Sequence, residues 1–322
     1  MRKLPALIAA AGLIAVSLTA CSTSQASACT GGAPSGDASK AVKVSGEFGA
    51  VPKVDFPTPL KADETQSTVI THGTGPGIIK GQMVTVDLSV YNGTTGKLIE
   101  KTEYSKDEKS PLSLVVSGKQ VQPGLVKALT CATKNSRVTA VVPPKDAFGD
   151  AGNPDIGIGK TDNLVFVIDV DRTFLTRANG ADQAPKAGMP TVTLNGAGRP
   201  GVTIPDSKAP TDLQIATLKK GDGATVKKGD TVVVHYLGVV WDSKEVFDSS
   251  WARGAPASLV AASGANVQGG VIEGFADALV GAKVGSQVIA VIPPDKGYGD
   301  TAQSSIPANS TLVFVVDVLG IQ

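Results

Sequence analysis

Beyond its first twenty residues the chain is dominated by short stretches in which apolar and polar positions alternate. At 231–238 the string TVVVHYLG sets Val232, Val234 and Tyr236 against Val233 and His235, a two-residue period that predicts a strand. Residues 312–318 form a short β-branched run that predicts another. A helix is predicted at 273–282, where Phe275, Ala278 and Leu279 recur at the spacing of one apolar helix face. A second is predicted at 123–132, with a proline near its start, where a missing N–H costs least.

The pattern occurs twice. VTAVVPPKDAFGD at 138–150 matches VIAVIPPDKGYGD at 288–300 in seven of thirteen positions, and LVFVIDV at 164–170 matches LVFVVDV at 312–318 in six of seven. Upstream, MVTVDLSV at 83–90 faces TVVVHYLG at 231–238 in the same order. The offsets of 150 and 148 residues are too long for a solenoid unit and describe a duplicated domain. Each copy reads as α+β, an antiparallel sheet with one short helix on a face. Residues 46–175 and 189–322 are the expected domains, joined by a linker at 176–188 of turn-forming composition.

The first twenty residues read as an export signal. Arg2 and Lys3 precede an unbroken apolar or glycine run at 6–16, too short to span a bilayer comfortably. Leu18-Thr19-Ala20-Cys21 resembles the bacterial lipobox, which implies cleavage before Cys21, acylation of that cysteine and an extracytoplasmic protein tethered to the cell membrane. An ordinary secretory signal or an uncut anchor is the competing reading. Residues 21–45, small, polar and rich in Gly and Ser, are expected to be a flexible tether. An oxidising compartment permits a Cys29–Cys131 disulfide; two free thiols beyond bridging distance are the alternative, and both stay open.

Composition narrows the chemistry. With 42% hydrophobic and 18% charged residues the chain is not disordered. Thirty basic residues against 29 acidic ones give no bulk attraction to nucleic acid, and no nucleic-acid partner is expected. The 37 Gly and 20 Pro exclude a helical bundle. Two His and three Cys leave little for a zinc cluster. No G-x-S-x-G elbow occurs. Gly157-Ile158-Gly159-Lys160-Thr161 resembles the end of a phosphate-binding loop, but Pro154 stands where its first Gly should be. His235 is expected to be an ordinary polar neighbour on or near a strand. Neither metal, cofactor nor an obvious nucleophile is expected.

Five motifs in the second copy belong together. VVHYLG at 233–238, VFDSSW at 246–251, VIEGF at 271–275, IPPDKGYG at 292–299 and IPANSTLVF at 306–314 resemble, in order, the FKBP-type peptidyl-prolyl cis-trans isomerases over about residues 211–320. The resemblance implies a curved antiparallel sheet wrapped around one short helix, with an apolar active site between them. Carried over residue by residue, it implies catalytic roles for Tyr236, Phe247, Asp248, Ile272, Tyr298 and Phe314, and substrate contacts from Val271, Phe275, Ile306 and Arg253. Phe275 stands where members often carry Trp, and Ala257 where a wall aromatic is common. Arg253 matches the basic partner of the Asp at 248. The Ile272 backbone N–H and the Tyr298 hydroxyl match two donors to a bound peptide carbonyl. Taken singly, each aromatic would be read as core.

The implied chemistry suits a site without nucleophile or metal. Resonance stiffens the X–Pro amide, and water stabilises its charge-separated form. A dry apolar pocket removes that water and favours the twisted geometry. Moving from tens of seconds to milliseconds is a factor of about 10⁴, or roughly 5–6 kcal/mol. The implied partners are Pro-containing exported polypeptides, with a non-catalytic binding module or chaperone as the alternative. Whether the family's macrolide ligands fit beside Ala257 stays open.

The first copy departs from the pattern. Leu88 stands for Tyr236, Ile99 for Phe247, Glu100 for Asp248, Gln122 for Ile272, Leu125 for Phe275 and Phe148 for Tyr298, while Ile158 and Phe166 are kept. A degenerate domain without catalysis is expected, in which a buried Gln would need a partner or stay wet.

Overall fold

The computed structural model describes residues 29–104, 112–119, 121–265 and 267–322. The signal segment and Cys21 lie outside the described residues. In chain order the first half holds α1 (Asp37–Ala41), β1 (Lys43–Ser45), β2 (Lys53–Asp55), β3 (Gln66–Thr71), β4 (Met83–Asn92), β5 (Leu98–Lys101), β6 (Leu112–Val115), α2 (Pro123–Leu129), β7 (Arg137–Val142) and β8 (Leu164–Thr173). The second holds β9 (Ala181–Asp182), β10 (Thr191–Leu194), β11 (Pro200–Thr203), β12 (Gln214–Lys220), β13 (Thr231–Val240), β14 (Val246–Ser249), α3 (Ser250–Arg253), β15 (Ala257–Ser263), β16 (Gly270–Val271), α4 (Glu273–Leu279), β17 (Gln287–Ile292) and β18 (Leu312–Ile321).

The sheets run β3-β7-β8-β4-β5, with β6 also on β4, and β16-β15-β13-β18-β17-β12-β9, with β14 also on β13. Pairing is antiparallel apart from the two-residue β16. The registers superpose the two copies: Leu88 faces Ile168 as Tyr236 faces Val316, and Glu100 faces Val90 as Asp248 faces Gly238. The α+β class and the duplicated sheet-and-helix plan are therefore as expected. Both long helices are shorter than their apolar spacing suggests, ending at Leu129 and Leu279. They bury Leu125, Ala128 and Leu129, or Phe275, Ala278 and Leu279, against one face of their sheet.

The opposite faces are also covered. In the first copy Ala38, Val42 and Leu60 pack on Val141 and Val165. In the second, Ile204 with Met189, Val192 and Val202 covers Val239, Ile289, Val291 and Val313. Every residue of β7 and β17 is consequently buried, so apart from Arg137, Thr139 and Gln287 these strands carry apolar side chains on both faces.

This covering layer corrects two expected boundaries. Residues from Cys29 to Ser45 are fastened to the first domain rather than forming a free tether: Cys29 is disulfide-bonded to Cys131, and Ser39 and Val42 are buried. Small residues that look like spacer in the sequence are what a tight packing layer also needs. Likewise, the expected linker at 176–188 is anchored. The Ala178 N–H donates to the buried Asp317 carboxylate at 2.8 Å, residues 179 and 180 donate to the Gly285 carbonyl, and β9 pairs with β12. In the first copy Asp169, the register equivalent of Asp317, accepts from Gly49 N–H at 2.8 Å and from Arg137.

The domains meet directly. Phe174, just after β8, packs with Met83 and Val115 of the first domain and with Val233 and Leu319 of the second. Leu175 N–H donates to the Leu319 carbonyl at 3.1 Å, and Arg172 to the Ile321 carbonyl at 2.8 Å.

Candidate active site

Between α4 and the concave face of the second sheet lies a cavity of about 570 Å³. Phe314 on β18 and Phe275 on α4 meet edge to face with centroids 4.8 Å apart, and Phe247 on β14 stands 5.4 Å from Phe314, also edge-on. Such contacts add to the stability from burial. Tyr236 on β13 lies 6.0 Å from Phe275 at a steep angle. Val271, Ile272 and Tyr298 complete the wall facing this cluster.

Alternation along two paired strands positions the polar group. Asp248 pairs with Gly238, two residues on from Tyr236 and so on the same face of β13. The register shift between Gly238 and Val239 leaves Phe247 as the extra residue, which also turns to the cavity. The Tyr236 hydroxyl donates to Asp248 Oδ2 at 2.5 Å, while Arg253 donates to the Tyr236 oxygen at 2.9 Å and pairs with Asp248. Burial, then the hydrogen bond to Asp248, pushes the Tyr236 pKa up, so the phenol keeps its proton. Tyr298, 38% exposed at the mouth, is also raised, first by burial and then by the Asp248 charge. Among the described residues neither the Ile272 backbone N–H nor the Tyr298 hydroxyl has a hydrogen-bond partner. Both donors are open to an incoming carbonyl.

One glycine makes the arrangement fit. A Cβ on Gly238 would fall 2.4 Å from Phe247 Cζ, so the ring occupies the space that a side chain on β13 would take.

Eight of the residues singled out in the sequence line this cavity: Tyr236, Phe247, Asp248, Val271, Ile272, Phe275, Tyr298 and Phe314. Two do not. Ile306 is buried in the core cluster that also holds Phe314, and Arg253 acts from the rim through Asp248 and Tyr236. Leu259, the 263–265 turn and the charged edge of Glu273, Asp295 and Lys296 also line it and were not anticipated. Leu259 alternates with small residues in ASLVAAS, too weak an apolar signal to single out. Lys296 bonds Glu273 at 2.5 Å and reaches Asp277 at 3.6 Å, holding the 294–296 turn before Tyr298 against α4.

A family profile described as FKBP-type peptidyl-prolyl cis-trans isomerase matches residues 77–171 and 223–319, more than half of the chain. The chain belongs to this family. Both FKBP domains are matched, not the second alone. An FK506-binding protein of Streptomyces anulatus is 36% identical over 125 residues, covering 38% of this chain and 97% of that protein. The FKBP-type isomerase FkpA of Escherichia coli is 40% identical over 112 residues, 35% of this chain and 38% of that protein. The crystal structure of Escherichia coli FkpA aligns with a TM-score of 0.31 at 34% identity, over 42% of this chain and 53% of that one.

The first FKBP domain keeps a cavity at the equivalent place, about 740 Å³. Its wall is largely aliphatic, with Leu88, Val90, Ile99, Leu114 and Leu125 around Phe148 and Phe166. Gln122 is half-buried on this wall rather than sealed in the core, so its amide can stay wet. Val90 occupies the register position of Gly238.

Proposed function

We propose that the chain is an extracytoplasmic, lipid-anchored prolyl isomerase that accelerates X–Pro isomerisation in exported polypeptides at the outer face of the membrane. Tyr236, Phe247, Asp248, Ile272, Tyr298 and Phe314 carry catalysis, with Val271 and Phe275 contacting substrate. The observation behind this assignment is the aromatic-walled cavity bordered by two open donors, Ile272 N–H and Tyr298 O–H. The donors hold the flanking carbonyl, and the aromatic walls leave the amide unhydrated, favouring its twisted form. The names of the FK506-binding relatives support macrolides as further ligands of this pocket.

The first domain binds or docks without turnover. Leu88 in place of the Tyr236 phenol and Phe148 in place of the Tyr298 hydroxyl, beside a retained aliphatic cavity, favour that reading. The full chain carrying Asp248→Val with Tyr298→Phe tests both assignments on an X–Pro peptide. Loss of nearly all catalysis assigns it to the second pocket; undiminished catalysis overturns that assignment and gives the activity to the first. Anchoring rests on the lipobox-like Leu18–Cys21 segment, and Cys21→Ser is expected to abolish incorporation of a labelled fatty acid in cells. Full incorporation by that variant would overturn it.

A further inference from the structure

Tyr236 is held at both ends by the same four-residue turn, α3. At its start, the fully buried Ser250 hydroxyl accepts from the Tyr236 backbone N–H at 2.8 Å. At its end, Arg253 reaches the Tyr236 phenol oxygen at 2.9 Å and pairs with Asp248. Between them Trp251 stacks on His235, with centroids 4.1 Å apart and planes 21° from parallel. His235 Nδ1 lies 2.9 Å from the Ser250 hydroxyl, nearer than the Tyr236 carbonyl at 3.3 Å. That hydroxyl donates to the Tyr236 carbonyl, so it ties the imidazole to both backbone groups of Tyr236. Burial first, then the Arg253 charge, lowers the His235 pKa to about 4 and keeps the ring neutral. The Trp251 indole N–H is buried without a hydrogen-bond partner among the described residues, so the stack on His235 is not accompanied by a hydrogen bond from the ring.

The first domain supplies an internal comparison. In the same register Thr102 accepts from the Leu88 N–H at 3.1 Å and donates to Asp87 at 2.6 Å. A hydroxyl clamp on the strand is thus common to both copies. A histidine stacked under a tryptophan occurs in the copy that has a tyrosine to orient.

We infer that Ser250, His235 and Trp251 are positioning residues for the isomerase site, fixing α3 on β13 so that Arg253 and Asp248 meet the Tyr236 phenol. None of the three lines the cavity. The inference rests on the isomerase reading of that cavity and says what keeps its polar corner in register.

The test compares Ser250→Ala, Ser250→Thr and Trp251→Leu in the full chain, with kcat and KM on an X–Pro peptide and a thermal melt for each. Ser250→Ala is expected to lower kcat about tenfold with KM little changed, since the buried hydrogen bonds of its hydroxyl to the Tyr236 backbone and to His235 are lost. Ser250→Thr restores most of that loss, because Thr102 performs the same contact in the first domain. Trp251→Leu, remote from the cavity, lowers kcat several-fold and provides the reading if Ser250→Ala does not fold. Unchanged kcat in a folded Ser250→Ala or Trp251→Leu overturns the inference, as does a folded Ser250→Thr no better than Ala. An inactive unmodified chain would instead overturn the isomerase reading and this inference together.

Discussion

A Cβ built on Gly320 would stand 2.4 Å from the ring of Phe174, closer than two non-bonded carbons can come. Phe174 ends the first domain and Gly320 lies on the last strand of the second, so the seam between the domains closes around an absent side chain. Gly320→Ala should overpack this seam at a cost of about 1–3 kcal/mol. Calorimetry of the full chain is expected to show a lower, broader transition. An unchanged melt would mean that the ring moves aside freely.

The same kind of close approach shapes the aromatic pocket of the second domain. Gly238→Ala puts a methyl where the Phe247 ring lies. The expected result is a fall of about tenfold in kcat/KM, equivalent to about 1.4 kcal/mol of transition-state stabilisation. Undiminished kcat/KM would show that the placement of Phe247 is not needed.

Cys29 and Cys131 close a loop across 102 residues. Chain-entropy arguments give such a crosslink about 4.7 kcal/mol, with native strain subtracting from it. Adding reductant should move the urea midpoint of the first domain downward, and Cys29→Ser should abolish the reductant effect. A midpoint indifferent to reductant would remove the disulfide from the account of stability.

Burial, opposed by the Ala178 N–H and Gln287 hydrogen bonds, pushes the Asp317 pKa above the ordinary carboxylate value. The folded state therefore holds this proton more tightly than the unfolded one. Asp317 makes stability fall as pH rises from the ordinary carboxylate value through the raised folded one. Asp317→Asn keeps an acceptor for Ala178 and should remove that fall, which urea midpoints between pH 3.5 and 8 would reveal as a profile displaced from the parent's. Superimposed profiles would show that Asp317 does not titrate in this range.

His235 tilts the profile the other way. Its folded pKa of about 4 lies below the ordinary 6.5, so the unfolded chain takes up the proton first as pH falls. The stabilisation is complete above pH 6.5 and is lost down to about pH 4, about 3 kcal/mol in all. His235→Asn should flatten this part of the profile. An unaltered acid limb would mean that the imidazole is hydrated and titrates normally.

The periodicity at 231–238, the apolar face at 273–282 and the repeated PP-x-x-x-[FY]-GD string make two sheet-and-helix domains legible from the chain alone. These signals survive in sequence because each comes from local geometry: side chains alternate across a strand and recur every three to four residues on a helix. The aromatic residues of the pocket were legible for a further reason, since five ordered motifs carry them. The sequence was silent on the covering layers, whose strands β1 and β2 are three residues long, below the length at which alternation can be read. It was equally silent on Asp317 holding Ala178, on Thr102 and Ser250 filling one role, and on Phe174 against Gly320. Each pairs residues far apart in the chain or swaps one chemistry for another at a shared place in the sheet. Spacing along the chain determined which residues face a core; only the folded sheet decided which distant backbone groups and rings complete it, because those contacts depend on register and close approach rather than on composition.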